Sequence, residues 1–371
     1  MRPTRAEVDL GALRFNFERI REKVGSRTKI MAVVKANGYG HGIVEVARAA
    51  ASFGVEALGV AYPEEGHQIR HNGVVSPIHV LAGTVPEQIG PALDDDLELA
   101  VTSPEHAKSI DDAARQRKRT ARVHLKVDTG MERIGVHAED AVRFAKEVAS
   151  LDCVRIAGIF THFATSDEAD KSFARQQLER FQKAVSGIER AGVEIPLRHA
   201  ANSGAIIDLP ESYFDMVRPG IMLYGVCPSK ETSQKIPLRP VMSLKSKVVH
   251  LKEVAANTSI SYGRKYLTKK ATRIATVAIG YADGYSRMLT NKSDVLIRGR
   301  RCRSVGVICM DQFMVDVGDA TDIRVGDDVT LIGTDGEETI SAWELADRTR
   351  TIPYEILCAL SARVPRVYTN G

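Results

Sequence analysis

Short apolar runs typical of buried β-strands recur along the first two thirds of the chain. Most of these eight runs are almost continuously apolar, as expected for parallel strands covered on both faces. They begin on average about 26 residues apart, which leaves room for a strand, a crossover helix and two turns. Helical periodicity lies between them at residues 44–51, 106–115, 141–148 and 173–191. The runs cover residues 29–34, 57–61, 78–82, 97–101, 122–127, 156–161, 197–200 and 214–217. This α/β alternation predicts an N-terminal (β/α)8 barrel of the TIM type.

The pattern changes after Pro237. Short runs now alternate at strand period between Gly/Asp turns, and one helical segment interrupts them at residues 341–348. The runs cover residues 245–254, 272–279, 294–297, 304–308, 313–317 and 328–332. We therefore expect a barrel over residues 1–236 and a mostly antiparallel β domain over 237–371. The segment 228–240, with three prolines, is the expected linker.

The composition is that of a folded globular protein. Of the 371 residues, 44% are hydrophobic and 26% are charged, which excludes a disordered chain or a fibre. Lysines and arginines number 51 against 47 acidic residues, so the charge of +4 predicts neither a nucleic-acid nor a membrane partner. A basic run at residues 115–122 is interpreted as a solvated helix end, and the acidic run Asp94–Asp96 as a polar loop.

The cysteines and the N-terminus indicate the compartment. Five cysteines are scattered without a CxxC pair, which favours a reducing environment over a disulfide framework or a zinc site. The N-terminus lacks the apolar core of a signal peptide, so we expect a cytoplasmic protein. His162 and His199 lack metal-ligand spacing and are interpreted as core or cofactor-contacting residues, and no metal site is predicted.

If the barrel is correct, the reactive groups belong at the C-terminal ends of its strands. Polar or small residues lie in or directly after five of the eight runs, at these C-terminal ends. The residues are Lys35, Lys126 with Arg133 beyond, His162, Asn202–Gly204, and Arg218 with Gly220 and Ile221. The sequence thus predicts that several cations and two small-residue turns converge on one rim.

Lys35 directly follows the apolar run IMAVV. A lysine there either reaches solvent or, with a neutral amine, acts as a Schiff-base nucleophile. The turns at Ser203 and Gly220 follow the last two strands, where barrels commonly bind phosphate, although Gly220 alone fits an ordinary turn. Together they point to pyridoxal phosphate.

Arg218 has two interpretations, a structural salt bridge or a partner of the pyridine nitrogen. A guanidinium can only donate a hydrogen bond, so it would leave that nitrogen unprotonated. The cofactor would then be a weaker electron sink, and reprotonation at the substrate Cα would favour racemisation over transamination.

Nine motifs in order over nearly the whole chain resemble those of the bacterial alanine racemases. The first and the one containing CMDQ are the most specific. They are AVVKANGYGHG (32–42), HLKVDTGMERIGV (124–136), THFATSDE (161–168), HAANS (199–203), VRPGIMLYG (217–225), SYGR (261–264), GYADGY (280–285), CMDQFMVDV (309–317) and IPYE (352–355).

The resemblance implies a pyridoxal-phosphate enzyme that interconverts L- and D-alanine as a homodimer and supplies D-alanine for peptidoglycan. It implies that Lys35 holds the cofactor and is the base toward D-alanine, while Tyr262, from the partner subunit, is the base toward L-alanine. The remaining implied roles fall into three groups. Phosphate contacts are Tyr39, Ser203, Gly220, Ile221 and Tyr354, with Asn202 beside them; Arg218 and His162 contact the ring; Arg133, the Met310 N–H and Tyr281 form the substrate site and its entrance.

Racemisation needs proton transfer on both faces of a planar carbon, so two bases must flank it. Lysine and tyrosine both have reference pKa values near 10 and need a lowered pKa or a cationic neighbour. From the residues alone, Tyr262 could cross a domain boundary or a subunit boundary to face Lys35. The resemblance also implies that Lys126 can carry a carbamate that orients Arg133.

Two alternatives stay open. One is a racemase of serine or of a broader set of amino acids, although Tyr354 and Tyr262 would confine the side-chain pocket to about a methyl group. The other is a non-catalytic pyridoxal-phosphate carrier on the same barrel. The second domain, with Tyr262 and Met310, argues against the carrier.

Overall fold

The structure is a computed structural model that describes residues 2–233 and 235–371. The chain forms two compact units. One, the barrel unit, consists of Leu13–Gly38 and Ile43–Arg239. The other, the β unit, consists of Met1–Ala12, Tyr39–Gly42 and Pro240–Gly371.

The barrel unit contains eight parallel strands, which confirms the predicted (β/α)8 barrel. Each pairs with its neighbours, and Glu98–Val101 pairs with Ala121–Asp128 to close the ring. Most of their residues are buried and apolar, as the sequence pattern predicts, but His79, Glu98, His124 and Lys126 are buried in these strands as well. The strands are Lys29–Val33, Ala57–Val60, Ile78–Val80, Glu98–Val101, Ala121–Asp128, Val154–Phe160, Arg198–His199 and Met216–Val217. A short strand, Val136–His137, adds to the edge of Ala121–Asp128.

Helices connect these strands. Pro63–His71 and Pro86–Asp94 lie outside the predicted helical segments, and so do the helices over residues 10–24 and 203–208. Pro63–His71 and Pro86–Asp94 each begin with proline at the first position, where the missing N–H costs nothing. The other helices are Leu10–Val24, Ile43–Ser52, Pro104–Gln116, Ala141–Ala149, Ser172–Arg190 and Ser203–Asp208.

The β unit is built on one nine-stranded, mostly antiparallel sheet, as expected. In spatial order its strands are Glu338–Ile340, Asp328–Asp335, Asp294–Ile297, Arg300–Val305, Phe313–Gly318, Thr272–Val277, Met242–Val254, Arg5–Asp9 and Arg366–Thr369. A two-stranded hairpin pairs Ser259–Ile260 with Tyr266–Leu267. The helices are Ala342–Thr349 and Pro353–Cys358.

The N-terminal strand differs from the expected division at residue 236. Arg5–Asp9 pairs antiparallel with Met242–Val254 and parallel with Arg366–Thr369. Ala6 and Val8 are fully buried while their neighbours are half-buried, so the alternation of this strand serves the β unit. Residues 1–12 therefore group with the C-terminal part of the chain and not with the barrel. The expected linker at 228–240 includes Gln234, which lies outside the described residues.

Among the described residues, none of the helices has the length and apolar character needed to cross a membrane.

Candidate active site

Lys35 lies at the rim of the barrel, directly after the strand Lys29–Val33 and partly exposed. The next three residues, Ala36–Gly38, all have positive φ, at 53°, 54° and 60°. Such left-handed backbone is unfavourable for alanine and is held here by side chains. Glu65 Oε1 accepts the Ala36 N–H at 2.6 Å, and Asn37 Oδ1 accepts the Ile43 N–H at 3.0 Å. The lysine is therefore mounted on a constrained turn.

Arg218 is almost completely buried at the end of the last strand. Its guanidinium donates to Thr161 O at 2.7 Å, to Ala200 O at 3.0 Å and to His199 Nδ1 at 2.9 Å. These partners are carbonyls and a ring nitrogen, so the salt-bridge interpretation is wrong. Burial lowers the pKa of Arg218 from 12.5 to about 9, which still leaves it protonated at neutral pH.

A chain of hydrogen bonds runs from Arg218 through the barrel interior to Glu98. His199 Nε2 lies 2.9 Å from His124 Nδ1, and His124 Nε2 lies 2.9 Å from Glu98 Oε2. Because Arg218 only donates, His199 Nδ1 accepts and its Nε2–H donates to His124. His124 then donates to the carboxylate. In every bond the donor lies on the Arg218 side and the acceptor on the Glu98 side, which sets one tautomer for each ring. The chain therefore has a buried cation, Arg218, at one end and an anion, Glu98, at the other.

Glu98 is held ionised at the base of this chain. Burial alone would raise the pKa of this carboxyl, but the hydrogen bond from His124 and the charge of Arg122 outweigh it and leave the pKa below its usual value. Arg122 forms the outer ion pair with Glu98 Oε1 at 2.5 Å. The Glu98 carboxylate therefore contacts His124 in the barrel interior and Arg122 toward the surface.

We expect Glu98→Gln to keep the hydrogen bond from His124 while removing the charge. Racemisation should fall several-fold because the Arg218 guanidinium loses its remote counter-charge, and stability should fall by roughly 1–2 kcal/mol. Denaturant unfolding and steady-state rates measure the two effects. Glu45→Gln, which breaks the surface pair with Arg48, should change neither.

The Glu98→Gln variant also tests how the stability of the protein depends on pH. Glu98 has a folded-state pKa below its unfolded value, so its contribution to stability is complete above about pH 4.5 and is lost as the pH falls through the folded pKa. Wild-type stability should therefore decrease more steeply below about pH 4.5 than that of Glu98→Gln. Parallel curves for the two proteins would contradict the assignment.

Cations concentrate around Lys126 and His162. The Lys126 side chain is buried, donates to Val127 O at 2.8 Å and lies 5.7 Å from the centre of the Phe160 ring. Burial, with smaller contributions from Arg218 and Arg133, lowers the pKa of Lys126 from 10.5 to about 8. The charge of Asp128 opposes this lowering, and at a pKa of about 8 the amine is mostly protonated at neutral pH, with a minority neutral.

His162 experiences the same field. Burial lowers the pKa of His162 well below its ordinary value, and the charges of Arg218, Arg133, Lys35 and Lys126 lower it further. The ring is therefore neutral. All four cations are therefore within electrostatic range of His162, and the Arg218 guanidinium lies 3.3 Å from His162 Nδ1.

Asp128 shapes the turn that leads from Lys126 to Arg133. Its carboxylate accepts the N–H groups of Gly130, Met131 and Arg133 at 2.8, 2.9 and 3.2 Å. Burial would raise the pKa of Asp128, but these bonds and the charge of Lys126 keep it low. The Arg133 side chain is itself exposed.

Ser203 and Gly220 meet at the ends of the last two strands. The Gly220 N–H donates to Ser203 Oγ at 2.9 Å, and both residues are buried. Ser203 begins a short helix that Asn202 caps by accepting the Ala205 N–H at 3.1 Å. Ile221 begins the following 3-10 turn. A hydroxyl and backbone N–H groups at this point are the donor set that a phosphate requires.

Tyr39 and Tyr354 lie together in the β unit, with ring centres 6.0 Å apart. The Tyr39 loop passes so close to the segment 353–358 that a Cβ on Gly40 would lie 2.1 Å from Leu357 O. Gly40 also has φ +85°. Glycine is therefore required there, and it allows the two tyrosines to approach.

Tyr262, Tyr281 and Met310 are exposed in the β unit, at 73%, 41% and 52%. Backbone hydrogen bonds join the segments that carry Tyr281 and Met310. The Tyr281 N–H donates to Cys309 O and the Ala282 N–H donates to Met310 O, both at 3.0 Å. The Tyr262 turn is tied to the same region by Ser261 Oγ, which donates to Val307 O at 2.9 Å. These segments form one surface with unusually exposed large side chains.

Glu98, His124, Asp128 and Glu65 support the site but were not singled out from the sequence. A signal existed for the first two, since a glutamate and a histidine interrupt the apolar runs LELAV and VHLKV. A polar side chain in a buried barrel strand requires a partner inside the barrel. The sequence does not show which partner.

Comparisons with known proteins agree with this arrangement. A family model for the N-terminal domain of alanine racemase matches residues 8–228, and one for the C-terminal domain matches residues 241–368. The alanine racemase of Halothermothrix orenii is 47% identical over 369 residues, covering 100% of this chain and 97% of that protein. The solved alanine racemase of Clostridium difficile 630 is 42% identical, with a TM-score of 0.96 over 100% of this chain and 96% of the other.

A more distant solved structure has a different named activity. A histidine racemase from Leuconostoc mesenteroides is 31% identical, with a TM-score of 0.92 over 99% of this chain and 98% of the other. The fold therefore accommodates more than one amino acid. The two family models and the full-length identities nevertheless agree, and the chain belongs to the alanine racemase family.

Proposed function

We propose that the chain interconverts L- and D-alanine with Lys35 and Tyr262 as the two proton-transfer groups. The observation that carries the proposal is the 3.3 Å contact between the Arg218 guanidinium and His162 Nδ1, close in sequence to the hydrogen bond from the Gly220 N–H to Ser203 Oγ. The charges of Lys35 and Arg133 also lower the pKa of His162. Family membership supports the activity on alanine.

The family depends on pyridoxal phosphate, and the residues present fit this cofactor. Ser203, Gly220 and Ile221 would hold its phosphate together with Tyr39 and Tyr354, and Asn202 holds the Ser203 turn in place. Arg218 and His162 would contact its ring. When bound, the cofactor withdraws electrons from the substrate and so acidifies the proton at Cα.

Each protein group has a separate task in proton transfer. Lys35 Nζ would remove the Cα proton of D-alanine or return one to that face, and the Tyr262 hydroxyl would do the same on the L face. Arg133 and the Met310 N–H would bind the substrate carboxylate, and Tyr281 would narrow the entrance. Arg218 can only donate to the ring, so the electron withdrawal stays modest and the proton returns to Cα.

We propose a homodimer in which each subunit supplies Tyr262 to the other. The exposed surface around Tyr262, Tyr281 and Met310 supports this proposal, because large side chains at 41–73% exposure are commonly covered by a partner.

The product D-alanine would be used for peptidoglycan. A cytoplasmic location remains a prediction from the dispersed cysteines.

Lys126 is expected to carry a carbamate. The neutral amine would add to CO2, forming an N–C bond and releasing one proton, and the resulting anion would lie between Arg133 and Arg218. Its lowered pKa, about 8, makes the nucleophilic form available. A high-resolution crystal structure grown in bicarbonate near pH 8 should show a trigonal group on Nζ. A bare ammonium there would contradict the prediction.

A chiral assay on several amino acids tests the function. We expect L-alanine to be racemised fastest, serine more slowly, and histidine, lysine and arginine far more slowly, because two tyrosines confine the pocket. Comparable rates on histidine or lysine would favour the broader racemase. A visible spectrum with bound cofactor but no racemisation of any amino acid would favour the carrier.

A further inference from the structure

A second group of potential ligands lies on the barrel unit, away from the rim that carries Lys35. His67 and His71 lie one turn apart on the helix Pro63–His71, and Asp95 follows the helix Pro86–Asp94. His71 ends its helix, and Asp95 lies three residues before the strand Glu98–Val101 begins. The group is therefore near the N-terminal ends of the strands, opposite the proposed active site.

The donor atoms already converge. His67 Nδ1 lies 2.8 Å from Asp95 Oδ2, and His71 Nε2 lies 3.1 Å from Asp95 Oδ1. The imidazole rings are 4.0 Å apart between centres, and one donor atom of each residue lies within 4.8 Å of the others. A tetrahedral ion with bonds of about 2.0–2.2 Å separates its ligands by roughly 3.3–3.6 Å. The two His–Asp separations would therefore widen by about 0.2–0.8 Å, and ligand atoms as far as 4.8 Å apart would close by up to about 1.5 Å.

The backbone of the loop that carries Asp95 is held in position independently of the histidines. Arg70 Nε donates to Asp95 O at 3.0 Å, and another of its nitrogens donates to Asp96 O at 3.2 Å. The Arg70 guanidinium also donates to Val74 O and Ser76 O at 2.7 and 3.1 Å. Its charge is thus engaged with backbone carbonyls, and the loop that carries Asp95 is fixed before any ion binds.

Exposure and chemistry define the ligand class. The His67 and His71 side chains are 58% and 61% exposed, so an ion can enter and keep water as a fourth ligand, while Asp95 is 11% exposed. Two imidazoles and one carboxylate suit zinc and its neighbours in the transition series, whereas magnesium prefers oxygen ligands. Each neutral ring would offer the nitrogen that now faces Asp95 and keep its proton on the other nitrogen.

We propose that His67, His71 and Asp95 bind one divalent transition-metal ion of the zinc class. The ion connects the ends of two helices that are otherwise joined by side-chain contacts. It stabilises the barrel by binding the folded state and takes no part in racemisation.

Calorimetric titration of the cofactor-loaded enzyme with ZnCl2 tests the proposal. We expect one ion per chain with a dissociation constant on the order of micromolar. His71→Gln, His67→Gln and Asp95→Asn should each weaken binding at least about tenfold. His250→Gln, which replaces an exposed histidine on the strand Met242–Val254, should leave binding unchanged.

Three further readouts separate this site from other causes. MgCl2 should not bind, since binding of both ions with similar strength would indicate the acidic run Asp94–Asp96 alone. Zinc should raise the Tm of the wild type but not that of the His67→Gln/His71→Gln double variant, and His71→Gln should racemise alanine at the wild-type rate. Zinc binding by the double variant with wild-type affinity would overturn the proposal.

Discussion

Lys35→Ala should abolish both racemisation and the visible band of the bound cofactor near ~420 nm. The side chain is expected to hold the cofactor covalently and to transfer the proton on the D face, so one substitution removes both functions. Activity should fall by more than about 10³-fold in each direction. Absorbance spectra and a chiral assay on the same preparation measure the two losses together.

Lys29→Ala is the matched control for this variant. Lys29 begins the same strand at its opposite, exposed end, so its loss removes a lysine without approaching the rim. The control should keep the band and the full rate. If Lys35→Ala kept the band, another lysine would hold the cofactor, and Lys126, with its lowered pKa, is a candidate.

Tyr262→Phe should abolish racemisation while leaving the visible band intact. The substitution removes only the hydroxyl, and the ring of Tyr262 is 73% exposed, so the fold should not change. Loss of one proton-transfer group lowers rates by about 10²–10⁴-fold. The variant should still exchange the Cα proton of D-alanine with solvent, because Lys35 serves that face alone, and should exchange that of L-alanine poorly.

Tyr266→Phe is the matched control. Tyr266 lies four residues further on and bonds weakly to Asp316, at 3.4 Å, so removing its hydroxyl should leave the rate unchanged. Full racemisation by Tyr262→Phe would contradict the assignment of two opposed bases. Equal exchange of L- and D-alanine in that variant would do so as well.

Much of the fold could be predicted because burial and pairing agree along the barrel. The run at 57–61 is continuously apolar since the strand Ala57–Val60 is covered on both faces, whereas buried polar residues such as His79, Glu98 and His124 interrupt other barrel runs. The N-terminal strand pairs within the β unit, although its position in the sequence predicts the barrel. Its five residues alternate clearly, but their partners at 242–245 and 366–369 lie far away in sequence, and alternation alone does not identify a partner.

The residues of the proposed site also divide into those that the sequence could predict and those that it could not. Lys35 and Arg218 could be predicted because parallel strands bring their C-terminal ends to one rim. The chain from Arg218 through His199 and His124 to Glu98 could not, because it depends on which side chains point inward and on the exact register between strands. The role of Tyr262 rests on the family resemblance, since its turn lies outside the barrel.

Racemisation in D2O tests the two-base account most directly. L-alanine and D-alanine are incubated separately with the enzyme, and deuterium at Cα is measured in each enantiomer at early times by chiral chromatography and mass spectrometry. If Lys35 and Tyr262 serve opposite faces, the product carries deuterium from the first turnover, because the group that protonates it has exchanged its own proton with solvent. A product that retains the original proton would show that one group serves both faces.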